Sequence, residues 1–513
     1  MSSPAAPAHG APPTGNGLDP ELRRLGMVVI LGAIMSILDV TIVIVAIDTL
    51  ARDFHASLSQ IQWVSTGYLL ALSAVIPLSG WAVERFGAKR MWMFSLTMFT
   101  LGSALCGLAW NAPSLIVFRV LQGLGGGMIM PIGMSILARA AGPARIGRVM
   151  GTLGVPMLLG PVLGPVLGGV LVTHLSWRWC FYVNVPIGIV ALYLAQRIMA
   201  ADTERTDAPL DVRGLALLSP GLALTVYGLS EAGSGSGFGS TTVIISIVAG
   251  LLLCAVFSVN ALRVTAPLLD LRLFRIGGFR MASLTALTVG AGMFGTMFIL
   301  PLYYQVARGS SAMTAGLLMA PQGLGAMCTM PIGGRLTDRI GPRNVVATGI
   351  VITTLGTVAY TQVGPHTSIA LLAICLVVRG LGLGLTMMPS MSAAYQVLEP
   401  PAIPRATTAL NIIQRVGGAL STAVVAVMIQ RSLTHSVGGG ATLGSVHGKP
   451  TGALADHVAS AFGTGFWWAL GFTAIGVLPA VLLPNRPPVV APPPMPDQGG
   501  APEAEQLLAA AEA

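Results

Sequence analysis

Charged side chains are rare inside the long apolar stretches of this 513-residue chain, and each one found there needs a chemical reason. Asp39 sits near the middle of the apolar run 26–50. A carboxylate at the centre of a membrane helix costs roughly 2.5–3.5 kcal/mol on insertion scales, so it requires a water-filled cavity, a counter-charge or a proton. Burial favours the protonated acid and a nearby guanidinium favours the carboxylate. Alternation between those surroundings would load and unload a proton; a permanent ion pair would make the residue structural only. Asp48, closer to the end of the same run, fits either a second protonation site or an interfacial packing role. Arg119 lies within the run 114–138. Arginine keeps its proton at physiological pH, so its chemistry would be to set the charge of Asp39; the bland reading is a side chain snorkelling to the surface. Arg379 has a comparable position further on, and Arg415 is too deep in the run 406–432 to snorkel easily.

Polar groups at helical positions, Tyr68, Gln122, Tyr304, Gln322 and Asn411 together with Arg415, are the candidates for lining a substrate cavity. No catalytic dyad and no His/Cys cluster at metal-ligand spacing accompanies them, so neither a metal nor a cofactor is expected. The seven histidines are expected in the loops and the N-terminal tail.

The elements that must carry these residues follow from composition. Residues are 54% hydrophobic and only 9% charged, against about 25% charged in soluble domains. A water-soluble enzyme is thereby excluded, and the net charge of +9 is scattered arginine without the basic face of a nucleic-acid binder. Charged or Pro/Gly-rich breaks divide the chain into fourteen predicted helices: 26–50, 61–82, 91–110, 114–138, 149–173, 181–199, 214–231, 242–262, 281–306, 314–334, 345–363, 367–391, 406–432 and 463–484. With that division, 20 of the 28 Lys and Arg fall on the side of the N-terminus and only Arg52, Arg178, Arg308, Arg431 and Lys449 on the other. The positive-inside rule then places both termini in the cytoplasm of a multi-pass protein of the cell membrane.

An internal repeat orders the helices. Gly80-Trp-Ala-Val-Glu84-Arg85-Phe-Gly87-Ala-Lys89 matches Gly334-Arg-Leu-Thr-Asp338-Arg339-Ile-Gly341-Pro-Arg343 without a gap, 254 residues later. Two related halves are characteristic of secondary transporters that rock about a central site. The expected organisation is a tail 1–25, a six-helix bundle 26–199, a linker with two inserted helices 200–264, a second six-helix bundle 265–485 and a Pro/Ala-rich tail 486–513.

The repeated loop resembles the cytoplasmic signature loop of the major facilitator superfamily. Leu38-Asp39-Val-Thr41-Ile42-Val43, Gly164-Pro165-Val-Leu-Gly168-Gly169 and Trp177-Arg178-Trp179-Cys-Phe181-Tyr182-Val-Asn184-Val-Pro186-Ile-Gly188 further resemble its fourteen-helix drug:proton antiporters, although Ile44 stands where Asn is common and Asp48 where Pro is common. The resemblance implies an all-α membrane fold of two six-helix bundles plus two inserted helices. It implies that Asp39 and Arg119 with Gln122 handle protons and that the helix bearing Gly164, Pro165, Gly168 and Gly169 belongs to an exporter. It also implies a cytoplasmic gate built from Gly80, Glu84, Arg85, Gly87, Gly334, Asp338, Arg339 and Gly341. The expected activity is proton-coupled export of hydrophobic or cationic drugs or antibiotics by alternating access. A lipid or secondary-metabolite exporter of the same fold, or a membrane-embedded transferase, are the alternatives.

Overall fold

The computed structural model describes residues 19–142, 145–202, 207, 209–233, 237–437 and 450–485, without the side chains at 48, 58–59, 152–153, 155–159, 161–162, 165 and 312. The two predicted tails beyond residues 19 and 485, His447, and the side chains of Asp48 and Pro165 thus lie outside the described set. Described elements are helical: α1 (Pro20–Asp53), α2 (Leu58–Val75), α3 (Leu78–Phe86), α4 (Ala88–Gly107), α5 (Ala112–Ala141), α6 (Ile146–His174), α7 (Trp179–Tyr182), α8 (Asn184–Ile198), α9 (Val212–Glu231), α10 (Thr241–Arg263), α11 (Gly277–Leu302), α12 (Ala312–Ile340), α13 (Pro342–Val358), α14 (Ile369–Tyr395), α15 (Ile403–Val437), α16 (Ala453–Ile475) and α17 (Val477–Val481), joined by short 3-10 and π turns. Among the described residues, ten helices are long and apolar enough to cross a membrane, or eleven if the bent pair α2–α3 is one span. Helices α4, α6 and α12 fall outside that count.

Polar residues start these helices where the chain leaves a loop. Asn111 accepts from the Ser114 N–H at 2.8 Å and the Ser114 hydroxyl accepts from the Asn111 N–H at 3.2 Å, a reciprocal cap that satisfies donors the first turn leaves free. Asp211 and Ser311 cap α9 and α12 by accepting from the backbone N–H of Gly214 and Thr314. Helices α15 and α16 run further into their connection than the apolar pattern predicts. His435 and His457 therefore lie on helices rather than in a loop, as does His174 at the end of α6. Apolarity marks only the part of a helix that must avoid water, and a helix continues past it wherever backbone hydrogen bonds do.

The repeat is legible in three dimensions. Helices α2–α3 and α12 occupy matching positions 254 residues apart, as do α4 and α13. Gly87 and Gly341 both turn the corner between them with positive φ, +96° and +84°, and their N–H groups bond back to Val83 and Thr337. Only glycine adopts that backbone without strain, which accounts for its recurrence in the loop.

Three large packed regions, beside a small one at Ala232, Val243 and Val427, make up the described interior. One joins both halves at the signature-loop end, where Val83, Ala138 and Met150 share a core with Met330, Met388, Ala406 and Leu410. The other two belong to single halves: Leu38, Ile42, Leu115, Trp177 and Phe181 in the first, and Ile299, Tyr303, Tyr360, Leu376 and Phe466 in the second. Helices α9 and α10 pack on each other, and α9 also lies against α2 and α15. The outward face of α10, including Ile245, Leu251, Leu252 and Val256, is exposed, as befits a helix against lipid.

Candidate functional site: a buried carboxylate in the first half

Asp39 is fully buried on α1 and gathers donors from two other helices. Arg119 Nη1 on α5 donates to Oδ2 at 2.5 Å, Gln122 Nε2, one turn later, donates to Oδ1 at 2.8 Å, and Asn184 Nδ2 on α8 donates to Oδ1 at 3.1 Å. Arg119 is itself held by the Val64 carbonyl at 3.2 Å and Gln122 Oε1 at 2.8 Å, with its guanidinium 4.0 Å from the centre of the Tyr68 ring. Charge-assisted bonds of this kind are strong in low dielectric, and removing one partner leaves a buried charge uncompensated. The i, i+3 spacing of Arg119 and Gln122 places both on one face of α5. Close approach by neighbours is what that face permits. A side-chain carbon at Gly123 would meet the Tyr68 carbonyl at 2.6 Å, and one at Gly126 the Tyr68 hydroxyl at 2.8 Å.

Asn184 and Ser103, whose hydroxyl accepts from Asn184 at 3.1 Å, complete the network. Asn184 stands inside the Trp177–Gly188 stretch, and its signal is an amide at the start of an apolar run in α8. Ser103 carried none.

The second half contains a counterpart without an acid. Arg379, also buried, donates to Gln322 Oε1 at 2.5 Å, to the Thr357 hydroxyl at 3.3 Å and to the Gly292 carbonyl at 3.2 Å. Gln322 and Thr357 lie 254 residues after Tyr68 and Ser103, and the position equivalent to Asp39 is Met293. The remaining cavity candidates lie apart. Tyr304 shares a hydrogen bond with Tyr360 at 3.1 Å inside the second half's own core, and Asn411 donates to the Thr407 carbonyl of its own helix at 2.9 Å. Arg415 faces a cavity of about 360 Å³ between α2, α9, α11 and α15, whose walls include Leu69, Val226, Phe294 and Phe298.

The signature loops hold the halves together. Glu84 at the end of α3 accepts from Arg405 Nε at 2.9 Å and Nη2 at 2.8 Å, a forked pair crossing to α15. Beside it Ser79 and Thr408 share a bond at 3.0 Å, and a carbon on Gly80 would meet the Pro404 carbonyl at 3.3 Å. In the mirror position Asp338 accepts from the backbone N–H groups of Gly147 and Arg148, both at 2.9 Å, at the start of α6. Free N–H groups and the helix dipole favour an acid there, while burial pushes the Asp338 carboxyl up to about 6. A side-chain carbon on Gly147 would approach Asp338 Oδ1 to 2.5 Å, and one on Gly334 would collide with the Gly147 backbone. Arg85 pairs with Asp207 at the surface, and Arg339 is exposed. Arg405 was not singled out by its sequence, since nothing local marks a partner 321 residues away.

Helix α6 presents glycine to two neighbours in succession. Gly151 and Gly154 abut Met330 of α12, whereas Gly160, Gly164 and Gly168 abut Ile37, Thr41 and Ile42 of α1. Gly169 has open space around it. One helix thus joins the halves near the signature loops and braces the segment carrying Asp39 further along.

Two pseudo-equivalent helix bundles, a buried ionic site between their helices and paired loops clamping one end define a membrane transporter rather than an enzyme. The family model of the Major Facilitator Superfamily matches residues 29–422, and the chain belongs to that superfamily. It is 42% identical over 441 residues, covering 84% of this chain and 82% of the other, to the multidrug resistance protein B homolog of Mycobacterium tuberculosis (strain ATCC 25618 / H37Rv). The lincomycin resistance protein LmrB of Bacillus subtilis (strain 168) is 29% identical over 392 residues, with 76% and 82% covered. Among solved structures, the proton:xylose symporter XylE bound to 6-bromo-6-deoxy-D-glucose shares the fold with a TM-score of 0.61 at 13% identity, covering 89% of this chain and 94% of that one. The chain is similar to drug:proton antiporters within the superfamily.

Proposed function

We propose that the chain is a fourteen-span, proton-coupled exporter of hydrophobic or cationic drugs and antibiotics, working by alternating access in the cell membrane with both termini cytoplasmic. The observation that carries this reading is Asp39, buried and bound by Arg119, Gln122 and Asn184 from two further helices. The arginine asymmetry assigns the signature loops to the cytoplasm. With that assignment, the clamps Glu84–Arg405 and Asp338–Gly147 belong to a conformation closed toward the cell interior.

A proton reaching Asp39 neutralises the carboxylate. Arg119 cannot release its own proton, so it loses its counter-charge and keeps the Val64 carbonyl, Gln122 and the rings of Tyr68 and Phe181. An unpaired buried cation is costly, and the three helices that met at Asp39 gain a reason to shift. Transport coupling needs such a difference in free energy between states. Names borne by relatives, multidrug and lincomycin resistance, support drugs as cargo.

The test uses everted membrane vesicles and two dyes, ethidium and the neutral Nile red, with and without an imposed pH gradient. Asp39→Asn should remove gradient-driven accumulation at unchanged membrane levels, because an amide exchanges no proton. Undiminished gradient-driven uptake by that variant would exclude Asp39 from coupling.

A further inference from the structure

The charges inside the bundle do not balance. Among the described side chains, Asp39 is the acid deep within an apolar stretch, with Arg119 bound to it, and Glu231 is a second acid at the very end of α9. Arg379 has three partners, all neutral. Arg415 has no hydrogen bond or ion pair among the described residues, and its side chain forms part of the wall of the 360 Å³ cavity. Glu231 follows the lining residue Ser230, but it has an interaction partner of its own. The rest of the wall is apolar or hydroxyl-bearing, from Leu69, Val226 and Phe298 to Ser73 and Thr422.

We infer that this cavity takes an amphiphile whose head is anionic, with the head against Arg415 and the apolar body along Phe294, Phe298 and the α9 wall. This rests on the export reading and narrows it. A guanidinium offers several N–H donors in a fixed fork suited to a carboxylate, sulfonate or phosphate, and a low-dielectric wall strengthens the attraction. The two phenylalanine rings present faces that attract cations. A full positive charge in the same wall opposes a cation there, and the two described acids that could offset it are engaged elsewhere, Asp39 by Arg119, which stacks on the Tyr68 ring, and Glu231 by a partner of its own. The cavity size is within the usual range for a small-molecule site, about 300–1,000 Å³. Helix α9, from the inserted pair, supplies one wall, so the insertion shapes the binding space.

The experiment compares three fluorescent probes of equal chain length: dansylundecanoate, its methyl ester, and the matching trimethylammonium. Each is titrated into the purified full chain in phosphatidylcholine nanodiscs, with empty nanodiscs subtracted. The anion should bind roughly tenfold or more tightly than the cation, the scale of one charge-assisted contact. Arg415→Gln should erase that preference and leave the ester unaffected, and Arg415→Lys should retain part of it. Equal binding of anion and cation by the unaltered protein overturns the inference whatever the variants do. So does unchanged anion affinity in Arg415→Gln. Adding phosphatidylglycerol to the nanodiscs assigns the source: displacement of dansylundecanoate identifies a lipid headgroup as an occupant, and persistence identifies a free amphiphile. If the anion depends on Arg415 yet no probe moves with a pH gradient in vesicles, the export reading fails and the anion site stands. Gradient-driven movement with charge-blind binding eliminates the anion site and leaves export standing.

Discussion

Removing half of the forked pair between α3 and α15 should open the signature-loop end by a measurable amount. Glu84 and Arg405 side chains retain 14% and 17% of their exposure. Breaking fully buried pairs costs about 3–5 kcal/mol and exposed ones about 0–1 kcal/mol, so this pair belongs between, at about 2 kcal/mol. Glu84→Gln preserves the shape and one acceptor, leaving a loss of about 1.5 kcal/mol, or roughly tenfold in the ratio of closed to open forms. The Asp338 latch and the Ser79–Thr408 contact persist, so the change is a shift in population. Spin labels at Phe86 and Glu399, exposed on opposite halves, report it as a longer distance in pulsed dipolar spectra, after the exposed Cys328 is replaced by Ser. Arg405→Gln should produce the same shift, and the double variant should add little beyond either single one. An unchanged distance distribution in both single variants, or strictly additive effects, would refute a gate held by this pair.

The second latch should respond to pH in the opposite sense to an ordinary surface acid. Asp338, beyond the apolar stretch 314–334, is pushed up to about 6 when packed on α6, whereas a solvated Asp titrates near about 3.9. The closed form then binds the proton more tightly, and its stabilisation is complete below the solvated value and disappears as pH rises through about 6. Closure measured by the same labels should increase on acidifying from pH 7 to 5, and Asp338→Asn should flatten that profile. Gly147→Ala should loosen the same end, because the added carbon must displace the Asp338 carboxylate or the Gly334 carbonyl; cross-linking across α6 and α12 that proceeds as before would contradict it. Asn184→Ala removes one of the bonds to Asp39 and should reduce gradient-driven transport by about tenfold, the scale of a hydrogen bond to a charged group, with membrane insertion unchanged. Transport at the original rate would leave Asn184 without a part in coupling.

Apolar runs and turn residues mark where most helices lie, because those signals are local and are imposed by the bilayer itself. The same physics makes Asp39 and Arg119 conspicuous, since charges at depth are expensive wherever they occur. What could not be read is who faces whom. Arg405 looks like any loop arginine until α15 is set beside α3, and Tyr304 or Asn411 looks available until its hydrogen bonds to Tyr360 and Thr407 are seen. The glycines of α6 are individually legible as small-residue contacts, but their division between α12 and α1 depends on where the helices diverge.

The most consequential feature lies in a comparison between the halves. Tyr68 with Gln322 and Ser103 with Thr357 keep polar or aromatic character at matching positions, and each half places a buried arginine beside them. Only the first half adds the acid; Met293 occupies its place in the second. A symmetric pair of carboxylates would neutralise Arg119 and Arg379 and leave Arg415 as the remaining unpaired charge. One deep acid and three arginines among the described side chains instead leave, on the export reading, one side of the central space to exchange a proton and the other persistently positive. On the proposed reading, proton handling and cargo charge are separated onto different halves of the fold, and a carboxylate introduced through Met293→Asp should reduce the anion preference at Arg415 only as far as its charge reaches across the bundle.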